Sequence, residues 1–188
     1  MPFSWDDLEE HRKAYVKKKL LGGTESSVDA PRSIELTRGY KTLVDDEDYD
    51  YLNQWNWFYL KAFRSSDKFY AKANFVLNSK PKQLFLHRLI MNAPRHLDID
   101  HINRNGLDNR KCNLRLCTTS QNCANKTAFN KWSEYKGIMK HRKAWVAAIT
   151  VNNNRIYLGS FKTEIEAARA YNEKAKEFYG EFALLNNI

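Results

Sequence analysis

Trp145, Ala147, Ile149 and Val151 alternate with Val146, Ala148 and Thr150. A period of two predicts a strand with its first set turned to a core. Asn152, Asn153 and Asn154 supply a turn, and Arg155 to Phe161 is the returning strand, with Ile156 and Leu158 on its buried side. The period then changes. Thr163 with Glu166 three residues later is a capping box. The helix it opens places Ile165, Ala168, Tyr171, Ala175 and Phe178 on one face and closes at Gly180, where a C-cap glycine belongs. Residues 134–188 therefore read as a hairpin-based sheet packed on one helix.

Upstream the elements are shorter and richer in aromatics. Ile34 to Val44 is strand-like around an Arg38–Gly39 turn, and Asp45 to Trp55 starts acidic, as a helix N-terminus prefers. Asn56–Leu60, Phe69–Phe75 and Gln83–Leu86 read as short strands, giving an α+β arrangement over 33–130. Residues 4–20 carry a thin apolar stripe of Trp5, Leu8, Tyr15 and Val16, and Gly22, Gly23, Ser26, Ser27 and Pro31 read as a flexible linker. The expected organisation is an N-terminal helix and linker (1–32), a chemistry-bearing block (33–130), a junction over 127–133 and the C-terminal sheet and helix (134–188).

Composition changes the picture in three places. No apolar run reaches the ~20 residues of a membrane span, and Met1 to Leu21 lacks the apolar core of a secretory signal, so a cytoplasmic location is expected. Cys112, Cys117 and Cys123 are odd in number and spaced unlike a zinc knuckle. The net charge of +9 is uneven: residues 1–50 sum to −4 and residues 51–188 to +13. A localised basic field favours a polyanionic partner, most simply nucleic acid.

Candidate chemistry concentrates in Leu97 to Lys126. Asp100 and His101 end a short apolar-alternating strand, Asn105–Gly106 and Asp108–Asn109 are turn residues, Asn113 opens a second strand, and Thr118 or Thr119 caps a helix carrying Asn122. A carboxylate and an amide oxygen are hard ligands that suit Mg2+ or Mn2+. A neutral His101 can take a proton near pH 7. Asn125 is a spare ligand candidate. His87 and Arg88, on an expected short helix, and Arg104, Arg110 and Arg115 are candidates for holding phosphates. The plain alternatives are a strand-end aspartate, a surface histidine and solvated arginines.

The stretch resembles the HNH, or ββα-metal, endonucleases. The match includes Asp100–His101, Asn113 twelve residues after His101 and Asn122 nine residues further on; LHRLIM at 86–91 and LDNR at 107–110 are similar to homing-type members of phage and intron origin. The resemblance implies a ββα-metal module within 33–130. It implies His101 as general base, Asp100 and Asn122 as ligands of one divalent ion, and Asn113 as the residue that holds the metal loop and orients His101. Asn122 stands where many members carry histidine, which favours Mg2+ or Mn2+ over Zn2+. The implied reaction is hydrolysis of phosphodiester bonds in double-stranded DNA, by a monomer that nicks or a homodimer that cuts both strands.

Residues 134–188 resemble the APETALA-two/ethylene-response-factor DNA-binding domain, through Tyr135-Lys-Gly-Ile, Trp145-Val-Ala-Ala-Ile, Arg155-Ile-Tyr-Leu-Gly-Ser-Phe and Glu166-Ala-Ala-Arg-Ala-Tyr. That implies a three-stranded sheet lying in the major groove with a helix behind it. Val146, Ala148, Thr150, Arg155 and Tyr157 would face outward with Lys136, Met139 and His141, while Lys140, Arg142 and Lys143 extend the basic surface. Met139, His141, Ala148 and Thr150 replace the charged residues of plant members, so their target preference is not carried over. Two other readings remain: a regulator with an inactive nuclease fold, and an enzyme or binding protein acting on RNA.

Overall fold

The computed structural model describes residues 30–62, 68–77, 80–127 and 132–188. The expected helix over 4–20, most of the linker after it and residues 128–131 of the junction lie outside them. Among the described residues no helix is long and apolar enough to cross a membrane. They form small sheets and a few helices, an α+β fold, in two compact units: residues up to 95 with 101–116, and 96–100 with 117–188.

In the first unit β1 (Arg32–Glu35) and β2 (Lys41–Val44) pair antiparallel around a 3-10 turn at Thr37–Gly39, as expected of Ile34 to Val44. Helix α1 (Asp46–Leu52) begins with Asp46, Glu47 and Asp48, whose carboxylates favour the positive end of the helix dipole. β3 (Phe58–Lys61), β4 (Phe69–Leu77) and β5 (Lys80–Phe85) form an antiparallel sheet in the order 3-4-5. α2 (Leu86–Met91) follows and ends at Asn92, in the left-handed conformation that Asn tolerates. Val44, Leu52, Leu84 and Leu86 are fully buried in this unit.

β6 (Asp98–His101) and β7 (Leu114–Cys117) form a two-stranded sheet, and the chain passes from one unit to the other within each strand. The short helix α3 (Thr119–Ala124) follows with a complete capping box. Gln121 N donates to Thr118 Oγ1 at 3.2 Å and Thr118 N to Gln121 Oε1 at 2.8 Å.

In the second unit β8 (Ile138–His141), β9 (Ala144–Val151) and β10 (Asn154–Phe161) make an antiparallel sheet in the order 10-9-8, and α4 (Glu164–Tyr179) packs on it. Asn152 and Asn153 both take positive φ, the backbone of a two-residue hairpin turn. Gly137 is obligatory, because a Cβ there would stand 2.2 Å from the buried Tyr171 ring. The helix buries Ala167, Ala168, Tyr171, Ala175 and Tyr179, whereas Ile165 and Phe178, expected on the core face, are exposed. The buried stripe is centred on Ala168, Tyr171, Ala175 and Tyr179, and Ile165 and Phe178 fall at its edges.

α3 is built into this second unit. Ala124 belongs to the core cluster of Ile138, Ala147, Ala168 and Tyr171. Tyr179 donates its hydroxyl to Thr150 O, so Ser120 Oγ donates to Tyr179 Oη at 3.0 Å and itself accepts from Asn152 N at 3.1 Å. Leu184 N donates to Ala124 O at 3.1 Å.

Candidate active site

Asp100 and His101 are consecutive on β6 and only 4% and 6% exposed. Alternation along a strand sends their side chains to opposite faces, and each meets an asparagine. Asn125 Nδ2 donates to both Asp100 oxygens, at 2.9 and 3.0 Å. His101 Nε2 lies 3.1 Å from Asn109 Oδ1. Asn125 and Asn109 are themselves buried. By sequence the first is a spare ligand candidate and the second a turn residue; neither partner is visible in spacing.

Asn122 is half-buried on α3, three residues before Asn125 and so on the same side of the helix. Its side chain makes no hydrogen bond among the described residues, unlike that of Asn125. Asp100 and Asn122 together offer a carboxylate and an amide oxygen, with no thiolate or imidazole, a donor set that fits a hard divalent cation. A second acidic group, Asp45, Glu47 and Asp48, has the spacing of a metal site. Lys111 takes that place: its ammonium pairs with Glu47 and, at 2.8 Å, with Asp48, and its backbone N donates to Asp45 Oδ2 at 2.7 Å.

Asn113 sits in a 3-10 turn just before β7 and holds the loop that follows His101. Its Oδ1 accepts from Asn103 N at 2.9 Å, and its Nδ2 donates to Asp108 O at 2.7 Å and to Asn103 Oδ1 at 3.0 Å. Gly106 lies in the same loop, where a Cβ would stand 2.2 Å from Phe69 O. The side chain that meets the His101 ring nitrogen is Asn109. The ring also packs against His87, edge to face at 5.2 Å between centroids, and against Tyr70 at 6.1 Å.

Several side chains expected to hold phosphate are committed elsewhere. His87 Nδ1 is enclosed without a hydrogen-bond partner among the described residues. Burial, then the neighbouring His101 and Arg88, push its pKa down to about 3, so it is a neutral packing residue rather than a cation. Arg88 Nη2 donates to Ala93 O and Pro94 O, closing the turn after α2. Arg110 makes a two-pronged ion pair with Asp108, both contacts 2.7 Å. That hydrogen-bonded pairing raises the arginine pKa and lowers that of the aspartate. Arg104 is exposed in the loop and Arg115 half-buried on β7.

On the C-terminal sheet, Lys136 is also spent internally. Its ammonium donates to Cys123 O at 3.1 Å and to Ala124 O, capping the carbonyl end of α3. Ala148 lies on the outer face as expected but is buried there beside Lys136, Gly137 and Cys123. Lys140 pairs in register with Trp145, on the core side of the sheet, and its ammonium lies 5.2 Å from the indole centroid. Met139 pairs with Val146, Thr150 with Arg155 and Ala148 with Tyr157, so these share the outer face. Arg155 reaches Met139 Sδ at 3.3 Å, Tyr157 is 64% exposed, and His141, Arg142 and Lys143 are exposed at the β8–β9 end.

These elements define an α+β chain with Asp100 and His101 buried side by side on one short strand and, toward the C-terminus, a three-stranded sheet backed by a helix. No family model matches the chain. It is 38% identical over 108 residues to an uncharacterized HNH endonuclease of Acanthamoeba polyphaga mimivirus, covering 55% of this chain and 56% of that protein. It is 45% identical over 60 residues to dehydration-responsive element-binding protein 2E of Oryza sativa subsp. japonica, 30% of this chain and 19% of that one. It is 43% identical over 56 residues to dehydration-responsive element-binding protein 2C of Arabidopsis thaliana, 28% of this chain and 16% of that one. The chain thus spans about half the length of the viral relative and under a fifth of these two plant ones. Both resemblances read from the motifs are upheld.

Proposed function

We propose that this protein is a metal-dependent DNA endonuclease in which His101 is the general base and Asp100 and Asn122 hold one Mg2+ or Mn2+ ion. The observation that carries the reading is the Asp100–His101 pair. Two adjacent polar residues are buried on one strand, each held by a buried asparagine. Burying titratable groups this way is costly and adds little to packing, so it marks chemistry more than structure. Similarity to a viral HNH endonuclease supports the same assignment, with β6, β7 and α3 as the ββα-metal module.

The roles of the side chains follow from their chemistry. His101 accepts the proton of the attacking water. Asn113 keeps the 103–108 loop in the shape that carries His101. Asp100 and Asn122 present hard oxygens, and Asn125 holds the Asp100 carboxylate in orientation. A divalent cation held by Asp100 and Asn122 would supply Lewis-acid stabilisation of the negative charge that develops during hydrolysis. The outer face of the C-terminal sheet, with Met139, Thr150, Arg155 and Tyr157, and the exposed His141, Arg142 and Lys143 beside it, docks duplex DNA as a two- or three-stranded ribbon can in a groove. Residues 33–130 and 134–188 then act as a cutting module and an addressing module.

Incubation of supercoiled plasmid with Mg2+, and in parallel with EDTA, tests this. Nicked or linear product is expected with the metal alone. His101→Ala should lower cleavage by about 10²–10⁴ while duplex binding survives. Cleavage by His101→Ala at the wild-type rate removes His101 from the mechanism. Tight duplex binding with no cleavage in Mg2+ or Mn2+ replaces the enzyme with a DNA-binding regulator. Preference for RNA in competition moves the substrate to RNA.

A further inference from the structure

Thr42 and Asn109 have no exposed surface at all, although both are polar. A polar side chain at that depth is tolerated where its hydrogen bonds are made, and here the donors and acceptors can be assigned one by one. Leu107 O can only accept, so the 2.8 Å contact consumes the proton of the Thr42 hydroxyl. Thr42 Oγ1 is thereby left as an acceptor for Asn109 Nδ2, 2.7 Å away. The same amide nitrogen faces Gly106 O at 3.4 Å, another group that only accepts. These contacts fix which way the Asn109 amide points: Oδ1 is turned to His101 Nε2, at 3.1 Å. An amide oxygen cannot donate, so Nε2 carries the hydrogen. A neutral imidazole has one N–H, and its lone pair then belongs to Nδ1.

We infer that Thr42 and Asn109 are positioning residues that set the tautomer of His101 and make Nδ1 its proton-accepting nitrogen. The inference rests on the reading of His101 as general base for its catalytic meaning, but the tautomer itself does not. Holding the loop is a separate task with its own bonds. Leu43 N donates to Leu107 O and Asn109 N to Leu43 O, each at 2.8 Å, and Asn113 closes the other side. Removing the Asn109 side chain therefore leaves the backbone of 107–109 tied to β2.

The test is imidazole nitrogen NMR on the full-length 15N-labelled protein without added metal, with the His101 signals identified by their loss in His101→Ala. In the wild type, a hydrogen-bonded Hε2 proton protected from solvent exchange is expected, with the lone-pair shift on Nδ1. Asn109→Ala should lose the Hε2 signal to exchange and lower cleavage by about tenfold or more, short of the ~10²–10⁴ lost with the base itself. Asn109→Asp, which restores an acceptor, should recover the signal. Thr42→Val should weaken it and Thr42→Ser keep it. A wild-type His101 protonated at Nδ1 overturns the inference without any variant. So does a folded Asn109→Ala protein that keeps both the Hε2 signal and full cleavage. Wild-type cleavage by His101→Ala instead defeats the general-base assignment and leaves the tautomer result standing.

Discussion

Replacing Asn125 by alanine removes the two contacts, 2.9 and 3.0 Å long, that its amide makes with Asp100. The carboxylate is 4% exposed, so water does not readily take their place. A hydrogen bond to a charged group contributes about 1.5–3 kcal/mol. In a protein of this size each kcal/mol moves the unfolding midpoint by about 2–4 °C, so Asn125→Ala should lower it by about 3–12 °C. Asn125→Asp should behave differently. It sets a second carboxylate against Asp100, is destabilised by like-charge repulsion in EDTA, and should gain more from Mn2+ than the wild type does, because a cation relieves that repulsion. Thermal unfolding of the wild type and both variants, in EDTA and in saturating Mn2+, reads all of this at once. A midpoint for Asn125→Ala within about 1 °C of the wild type, or an Asn125→Asp variant that gains no more from Mn2+ than the wild type, refutes the reasoning.

Lys136→Ala removes a helix-capping ammonium rather than a phosphate contact, so it should cost about 0.5–1.5 kcal/mol and leave the salt dependence of DNA binding unchanged; a slope smaller by about one would show that Lys136 holds a phosphate after all. Arg155→Ala, on the exposed outer face, should reduce that slope by about 0.9, and an unchanged slope in salt-titrated binding removes it from the interface. His87 stays neutral in the folded protein, its pKa pushed from 6.5 to about 3. Below 6.5 the unfolded chain takes up a proton that the folded one refuses, so this contribution is full above pH 6.5 and is lost progressively down to about 3. His87→Leu should therefore flatten the fall in urea midpoint over that interval, and parallel curves for variant and wild type contradict the assignment.

Much of the secondary structure is written locally. The capping box of Thr163 and Glu166, the two-fold alternation through Trp145 to Thr150 and the turn at Asn152–Asn153 each involve residues within a few positions of one another. The cap and the turn appear as expected, and the strand forms with the expected pairing although Ala148 of its outer set is buried. The ordered set Asp100, His101, Asn113 and Asn122 is likewise a property of spacing, and it sufficed to point at a nuclease resemblance. What spacing does not carry is the partner of each polar group. Thr42 and Asn109 are 67 positions apart, and Lys111 and Asp45 are 66. Arg88, Arg110 and Lys136 look like free cations in the sequence because their carbonyl and carboxylate partners are supplied by folding. The place of α3 was decided in the same way. Its amphipathic signal is only two turns long, and the burial of Ala124 with the bonds of Ser120 and Lys136 assigns it to the C-terminal unit. Strands, caps and the order of the candidate site residues are legible along the chain, because they depend on short spacings between neighbouring positions. The tertiary structure alone decided which asparagine holds Asp100, which one orients His101 and which cations are left for a partner, because hydrogen bonds form between atoms that are close in space, whatever their distance along the chain.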